Sequence, residues 1–185
     1  CRKLGELAYK YDSSTKQDLS QATLRLTCIC DLQSFAFAVE NAVNGELVCI
    51  RSFSFGQRFH LFDKPLGFLE ELMRSEPILY EDFKSKTLFV RGVAFKLHRG
   101  EMSDETLEPS LLTNDSAFGV NNLVMCDRLQ TVNISVIYAI PSVFHKEVGL
   151  FFRQADIRHS ISGLICSQRI NSAGGTQLIA QVSGR

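Results

Sequence analysis

No charge of either sign predominates in this sequence: 20 lysines and arginines stand against 20 aspartates and glutamates. A chain so balanced creates no global field to draw in a nucleic-acid backbone or an acidic membrane surface, and only a local patch could do so. Long apolar runs are missing as well. None reaches the roughly 18 residues that a membrane span requires, and the opening "CRKLGELAYKYDSSTKQDLS" carries no apolar stretch of the secretory kind. The expectation is a chain that binds neither nucleic acid nor membrane. Paired cysteine motifs are absent too. The six cysteines are scattered, and Cys28 and Cys30 form C-x-C with no second Cys or His pair at finger spacing. Cys28, Cys30, Cys49 and Cys166 sit among apolar neighbours, as free thiols do in a reducing cytoplasm. Tryptophan does not occur, so the aromatic load falls on 14 phenylalanines.

What is present is an ordinary globular composition, 45% hydrophobic and 22% charged. A chain of 185 residues can bury about 70% of its unfolded surface and needs no disulfide or metal to fold. Residues 1–20 are polar, lack a clear period and read as an arm. "ATLRLTCIC" and "SFAFAVE" alternate as strands do, and "NAVNGELVCIRSFSF" carries Asn44-Gly45, a hairpin turn, into a third strand. Phe35 and Phe37 alternate on one of these strands and Phe53 and Phe55 on its neighbour. Cross-strand packing in one core explains them; an exposed aromatic patch for a partner is the alternative.

In "LFDKPLGFLEELMRSEP", Asp63 is a candidate cap and Pro65 suits a first helical turn. Leu66, Leu69, Leu72 and Met73 recur at helical spacing, and Pro77 ends the pattern. "KTLFVRGVAFKL" reads as one strand with Gly92 as a bulge, "SDETLEPSLL" as a short helix capped by Ser103, and residues 113–123 as a polar loop. "QTVNISVIYAI" is apolar on both faces at its end, as a central strand is. "PSVFHKEVGLFFRQA" is a helix with Phe144, Val148, Phe151, Phe152 and Ala155 as its buried stripe. "DIRHSISGLICSQRI" follows as a short strand and a helical turn or loop, and "NSAGG" as a linker. The order is β-β-β-α-β-α-β-α, a mixed α/β sheet with helices on its faces.

That order is the ribonuclease-H-like one, shared by one lobe of the actin, sugar-kinase and heat-shock-chaperone ATPases. "LRLTCICDLQSFAFAVEN" and "VNISVIYAIPSVFHKEVGLFFRQADIRHSISGLI" resemble an uncharacterised Bacteroidota family, domain of unknown function 3822, itself similar to a degenerate actin-like ATPase. The resemblance spans about residues 20–185 and implies a fold, since the family has no established catalytic residues. It also implies a second, related lobe. The chain opens on Cys1 rather than Met and closes on the strand-like "TQLIAQVSGR", so a fragment of a longer protein is expected. On this reading residues 21–170 are the first lobe, and residues 171–185 are a hinge and the first strand of the second.

An actin-like ATPase needs an Asp in the loop between its first two strands, for magnesium, and glycines that let backbone N–H groups approach phosphate. Asp31, Gln33 and Ser34 stand at that loop, but Leu32 and Gln33 occupy the glycine positions. They are a vestigial phosphate loop, with Mg-ATP as the alternative ligand and no cofactor as the leading expectation. Gly174, Gly175 and Thr176 precede the last strand instead of following it and lack the Asp of a second phosphate loop, so they read as a hinge. A ribonuclease-type nuclease would need carboxylates around two metals. Asp31 with Glu70 or Glu71 could begin such a set, but "TLFVRGVAF" supplies no acid to complete it. His60, His98, His145 and His159 lie at no metal spacing and read as solvent-facing or capping. The leading expectation is a cytoplasmic, non-catalytic binding or scaffold module with a protein partner or a second copy. The competing one is a residual nucleotide-dependent ATPase or phosphotransferase.

Overall fold

Strict alternation builds the centre of the molecule. The computed structural model describes residues 5–14, 23–56, 59–100, 102 and 121–170, with side chains to residue 166. β2 (Leu24–Asp31), β3 (Ser34–Asn41) and β4 (Leu47–Ser54) form the expected meander. Leu24, Leu26, Cys28 and Cys30 face one side of β2, and Phe35, Phe37 and Val39 face the same side of β3. Phe35 lies directly opposite Phe53, so the aromatic alternation is core packing.

The segment read as an arm carries β1 (Glu6–Asp12), antiparallel to β4 at the sheet's edge. Leu7, Tyr9 and Tyr11 alternate along it, a short strand signal that the reading as a polar arm passed over, and every residue of β1 is exposed. It is held by backbone bonds and by Arg51 of β4, which donates to the Tyr11 carbonyl at 2.7 Å and to the Asp12 carboxylate at 2.5 Å.

α1 (Pro65–Ser75) crosses the core face and buries Pro65, Phe68, Leu69, Leu72 and Met73. Phe68 makes edge contacts with Phe35, Phe53 and Phe55, at centroid distances of 5.4, 5.8 and 4.7 Å. Two expectations fail here. Leu66 is exposed, and Asp63 makes no capping bond. The Leu66 amide instead donates to Glu147, 2.8 Å away on α2 (Ser142–Phe151). α2 packs beside α1 through Phe144 and Val148, with Phe62 edge-on to Phe144 at 4.7 Å. Phe152 is buried just past the helix end, while Phe151 and Ala155 are half-buried at the margin of the same core.

"KTLFVRGVAFKL" is two strands and not one. β5 (Phe83–Val90) pairs parallel with β2, the chain turns at Gly92, and β6 (Phe95–Arg99) joins a separate sheet. β7 (Asn122–Leu129) and β8 (Ile134–Pro141) complete that second sheet in the order β6-β8-β7. The apolar run read as a central strand is β8, central and buried as expected, but in the small sheet. The last two residues of the expected polar loop, Asn122 and Leu123, open β7. The sixth strand of the main sheet is β9 (Asp156–His159), parallel to β5 and followed directly by α3 (Ser160–Ile170).

The main sheet therefore runs β1-β4-β3-β2-β5-β9. The order β-β-β-α-β-α-β-α is found in β2, β3, β4, α1, β5, α2, β9 and α3, with the small sheet inserted after β5 and β1 added at the edge, but its last three elements are not those expected: the expected last strand and helix are β8 and α2, and the expected second helix lies outside the described residues. α3 lies on the face opposite α1 and α2, against Phe89, whose neighbours Leu88 and Val90 point into the core. The expected Ser103 helix, the Gly174–Thr176 hinge and the final strand lie outside the described residues.

Candidate functional site

Three parallel strands, β2, β5 and β9, end at the same edge of the sheet. That edge is where α/β sheets place their ligands. Their last residues and the turns after them bring Asp31, Arg91, Gly92, His159 and Ser160 to one end of the fold.

Asp31 sits directly opposite Ser34 across a turn of two residues, Leu32 and Gln33. Neither has positive φ, so the turn is not one of the mirror-image types that glycine favours. Asp is a preferred first residue of the ordinary turn because its carboxylate bonds the backbone that follows. Here Oδ1 accepts the Leu32 N–H at 2.6 Å, and Oδ2 lies 3.0 Å from Arg91 Nε. The Leu32 carbonyl accepts from the Leu61 amide at 3.0 Å and the Gln33 carbonyl from the Phe55 amide at 2.9 Å. Gln33 is exposed and Ser34 half-buried. The three residues expected to form a phosphate loop are thus together, but the Asp31 carboxylate is engaged by its own turn and by Arg91.

Gly92 adopts φ +77°, and a Cβ there would stand 2.9 Å from Asp31 Oδ1. It lets the chain leave β5 against the Asp31 carboxylate. Arg91 also forms the rim of a cleft of about 400 Å³ on the α3 side of the sheet, lined by Ile29, Phe89, Arg91, Ser160, Gly163 and Leu164. Gly163 admits close approach: a Cβ there would stand 2.7 Å from Phe89 Cε1. The Ser160 hydroxyl is buried, and among the described residues it has no hydrogen-bond partner.

A second polar group lies beside the cleft. Asp127 of β7 is buried and accepts from Tyr138 Oη at 3.1 Å, the His159 amide at 2.7 Å and Ser162 Oγ at 2.5 Å. Burial raises its pKa above the ordinary carboxylate value, against the lowering effect of the Ser162, His159 and Tyr138 bonds. Burial and the neighbouring Asp127 charge push the Tyr138 hydroxyl up. Burial holds the His159 imidazole low, opposed by the Val93 backbone. A serine, a histidine and an aspartate together suggest a nucleophilic triad, but the bonding is wrong for one. Ser162 donates straight to Asp127, and His159 Nδ1 accepts the Ile161 amide at 3.2 Å. Ser162 is also 1% exposed, out of reach of a substrate. The group ties the small sheet to α3.

The other sequence candidates stay apart from this edge. Glu70 is exposed and Glu71 half-buried on α1. His60 and His98 are exposed and His145 half-buried, while His159 is a buried cap. Among the described residues, no three His, Cys, Asp or Glu side chains come together as metal ligands. Cys166, expected among apolar neighbours, is exposed, while Cys28, Cys30 and Cys49 are buried free thiols. No described helix is long and apolar enough to cross a membrane. Arg91, Ser160 and Asp127 were not legible as site residues. The available signal was an acid inside the apolar run "LVMCDRL", which marks a buried carboxylate.

No protein-family model matches the chain, and no curated protein does. Among solved structures it is similar to a Bacteroides thetaiotaomicron VPI-5482 protein described as having an actin-like ATPase fold and unknown function. The TM-score is 0.72 and the identity 17%, over 85% of this chain and 60% of that one. The chain has the actin-like ATPase fold, and it spans about three fifths of that neighbour's length.

Proposed function

We propose that this chain is a non-catalytic binding module: the first lobe of a degenerate actin-like ATPase of the Bacteroidota kind, working in the cytoplasm with a second lobe, a protein partner or another copy. The observation that carries this reading is the state of Asp31. Its two oxygens are engaged by Leu32 and Arg91, at 2.6 and 3.0 Å. A phosphate loop presents free backbone N–H groups and an Asp open to a hydrated metal. In this turn the Leu32 donor faces Asp31, and two side chains stand where glycines would admit phosphate.

The test is calorimetric titration of Mg·ATP into the protein and into an Asp31→Ala variant. The expected result is no binding at millimolar nucleotide in either. Saturable binding that weakens in the variant would overturn the reading and restore Asp31, Gln33 and Ser34 as a working phosphate site.

A further inference from the structure

We propose that the cleft between β2, β5 and α3 binds a small apolar acid, its carboxylate held by Arg91 and its hydrocarbon body lying on Ile29, Phe89 and Leu164. The inference rests on the reading of this chain as a binding module and names the ligand of that module. Its first support is Ile29. β2 lies between β3 and β5, inside the sheet, yet Ile29 is 44% exposed. A branched apolar side chain open to water in the middle of a sheet is the floor of a site, and Phe89 and Leu164 continue it into the cleft of about 400 Å³. That volume lies within the range of small-molecule pockets.

The second support is polar. α3 opens at Ser160 beside the cleft, and that helix end favours negative charge. Arg91 lines the cleft with its Nε paired to Asp31, and its side chain is partly exposed. The same pairing selects the charge of the ligand. Asp31 offsets part of the Arg91 charge and would repel a dianion, and among the described residues Arg91 is the one cation of the lining. A monoanionic carboxylate matches, as a fork-shaped acceptor for a guanidinium. The lining offers few polar groups to read a sugar or a base, so a nucleotide does not match.

The absence of tryptophan makes the test direct, because a naphthalene fluorophore can be read without indole background. The probe is 2-naphthoate, with uncharged 2-naphthalenemethanol as its control. Saturable binding of the naphthoate below about 1 mM is expected, with the alcohol weaker by roughly tenfold. Arg91→Gln is expected to lose about tenfold. Ile29→Glu, which places a like charge on the floor at an exposed position, is expected to abolish binding while the far-ultraviolet circular dichroism is unchanged. It keeps the proposal testable if Arg91→Gln, which unpairs Asp31, fails to fold. Equal binding of acid and alcohol, undiminished binding by Ile29→Glu, or no saturable binding would each overturn the proposal. Mg·ATP in the same assay separates the two readings. Nucleotide binding overturns the non-catalytic module, whereas silence toward both probes overturns the acid site alone.

Discussion

Tyr138 Oη lies 3.1 Å from Asp127 Oδ1 and 3.0 Å from the Ile157 carbonyl, so one hydroxyl proton faces two acceptors. The Asp127 carboxylate and the Ile157 carbonyl share that proton. Oδ2 meanwhile accepts from His159 and Ser162. An amide can take the same place: its oxygen accepts from His159 and Ser162, and its NH₂ donates to Tyr138 Oη, whose proton then goes to Ile157 alone. Asp127→Asn is expected to stay within about 1 kcal/mol of the natural chain, while Asp127→Ala loses about 3 kcal/mol because three donors are stranded. Urea unfolding of the two variants checks this.

The same network sets a pH dependence. Burial raises the folded pKa of Asp127 above its ordinary 3.8, so the folded state binds that proton more readily than the unfolded chain. The stabilisation is full below the unfolded value and is lost as pH rises through the folded one. Asp127→Asn has no such titration. The stability of the natural chain relative to this variant is therefore expected to fall as pH rises above about 4. A flat or rising difference would show that the carboxylate is ionised without penalty.

Where one face is buried and the other open, the sequence is readable. β2, β3 and β4 alternate, α1 and α2 show apolar stripes, and all five were legible. β1 was not: its Leu7, Tyr9 and Tyr11 alternate, but the signal is short and lies in a polar stretch, and none of its residues is buried. β5 and β6 merged into one run because Gly92 reverses the chain between two sheets without interrupting the apolar composition. β8 was assigned to the wrong sheet because burial on both faces states how deep a strand lies and not which strands flank it. At the site, position named Asp31. The engagement of its carboxylate by Arg91 depends on where β5 ends, which no local pattern reports.

Arg51 is buried on the core face of β4 and joins β1 to the end of α1 through Asp12 and Glu76, the latter at 3.2 Å from Nε. Arg51→Leu leaves Glu76 largely buried without its cation and the Tyr11 carbonyl without its donor. A loss of about 3 kcal/mol is expected, because removing one partner of a buried pair strands the other. Adding Glu76→Leu should recover part of it, and amide exchange in β1 should accelerate in the single variant. Losses that simply add would remove Glu76 from the account.

Burial pushes the Cys28, Cys30 and Cys49 thiols up, and none of the three reaches solvent freely. Cys166 is exposed on α3. In a native-state thiol titration with an aromatic disulfide reagent, Cys166→Ser is expected to remove one fast equivalent. Cys28, Cys30 and Cys49 should react only as the protein unfolds. Fast reaction of Cys28 or Cys30 would mean that the sheet opens on its α1 side in the native state.

Gly92 and Asp31 give the sharpest structural test, because one contact links the chain reversal after β5 to the turn after β2. A residue with a Cβ is strained at φ +77° by about 1–2 kcal/mol. The Cβ would also stand 2.9 Å from Asp31 Oδ1 and displace the carboxylate from Leu32 and Arg91. Gly92→Ala is expected to cost about 2 kcal/mol in total. Asp31→Ala alone should cost under about 1 kcal/mol, since the Arg91 pair is partly exposed. The double variant should lose less than the sum, because removing the carboxylate also removes the clash. Strict additivity in chemical unfolding would show that backbone strain alone explains the glycine. A shortfall would place Asp31 in the packing of the turn, where a carboxylate that must stay fixed to hold two chain reversals together is poorly suited to release a hydrated metal and phosphate.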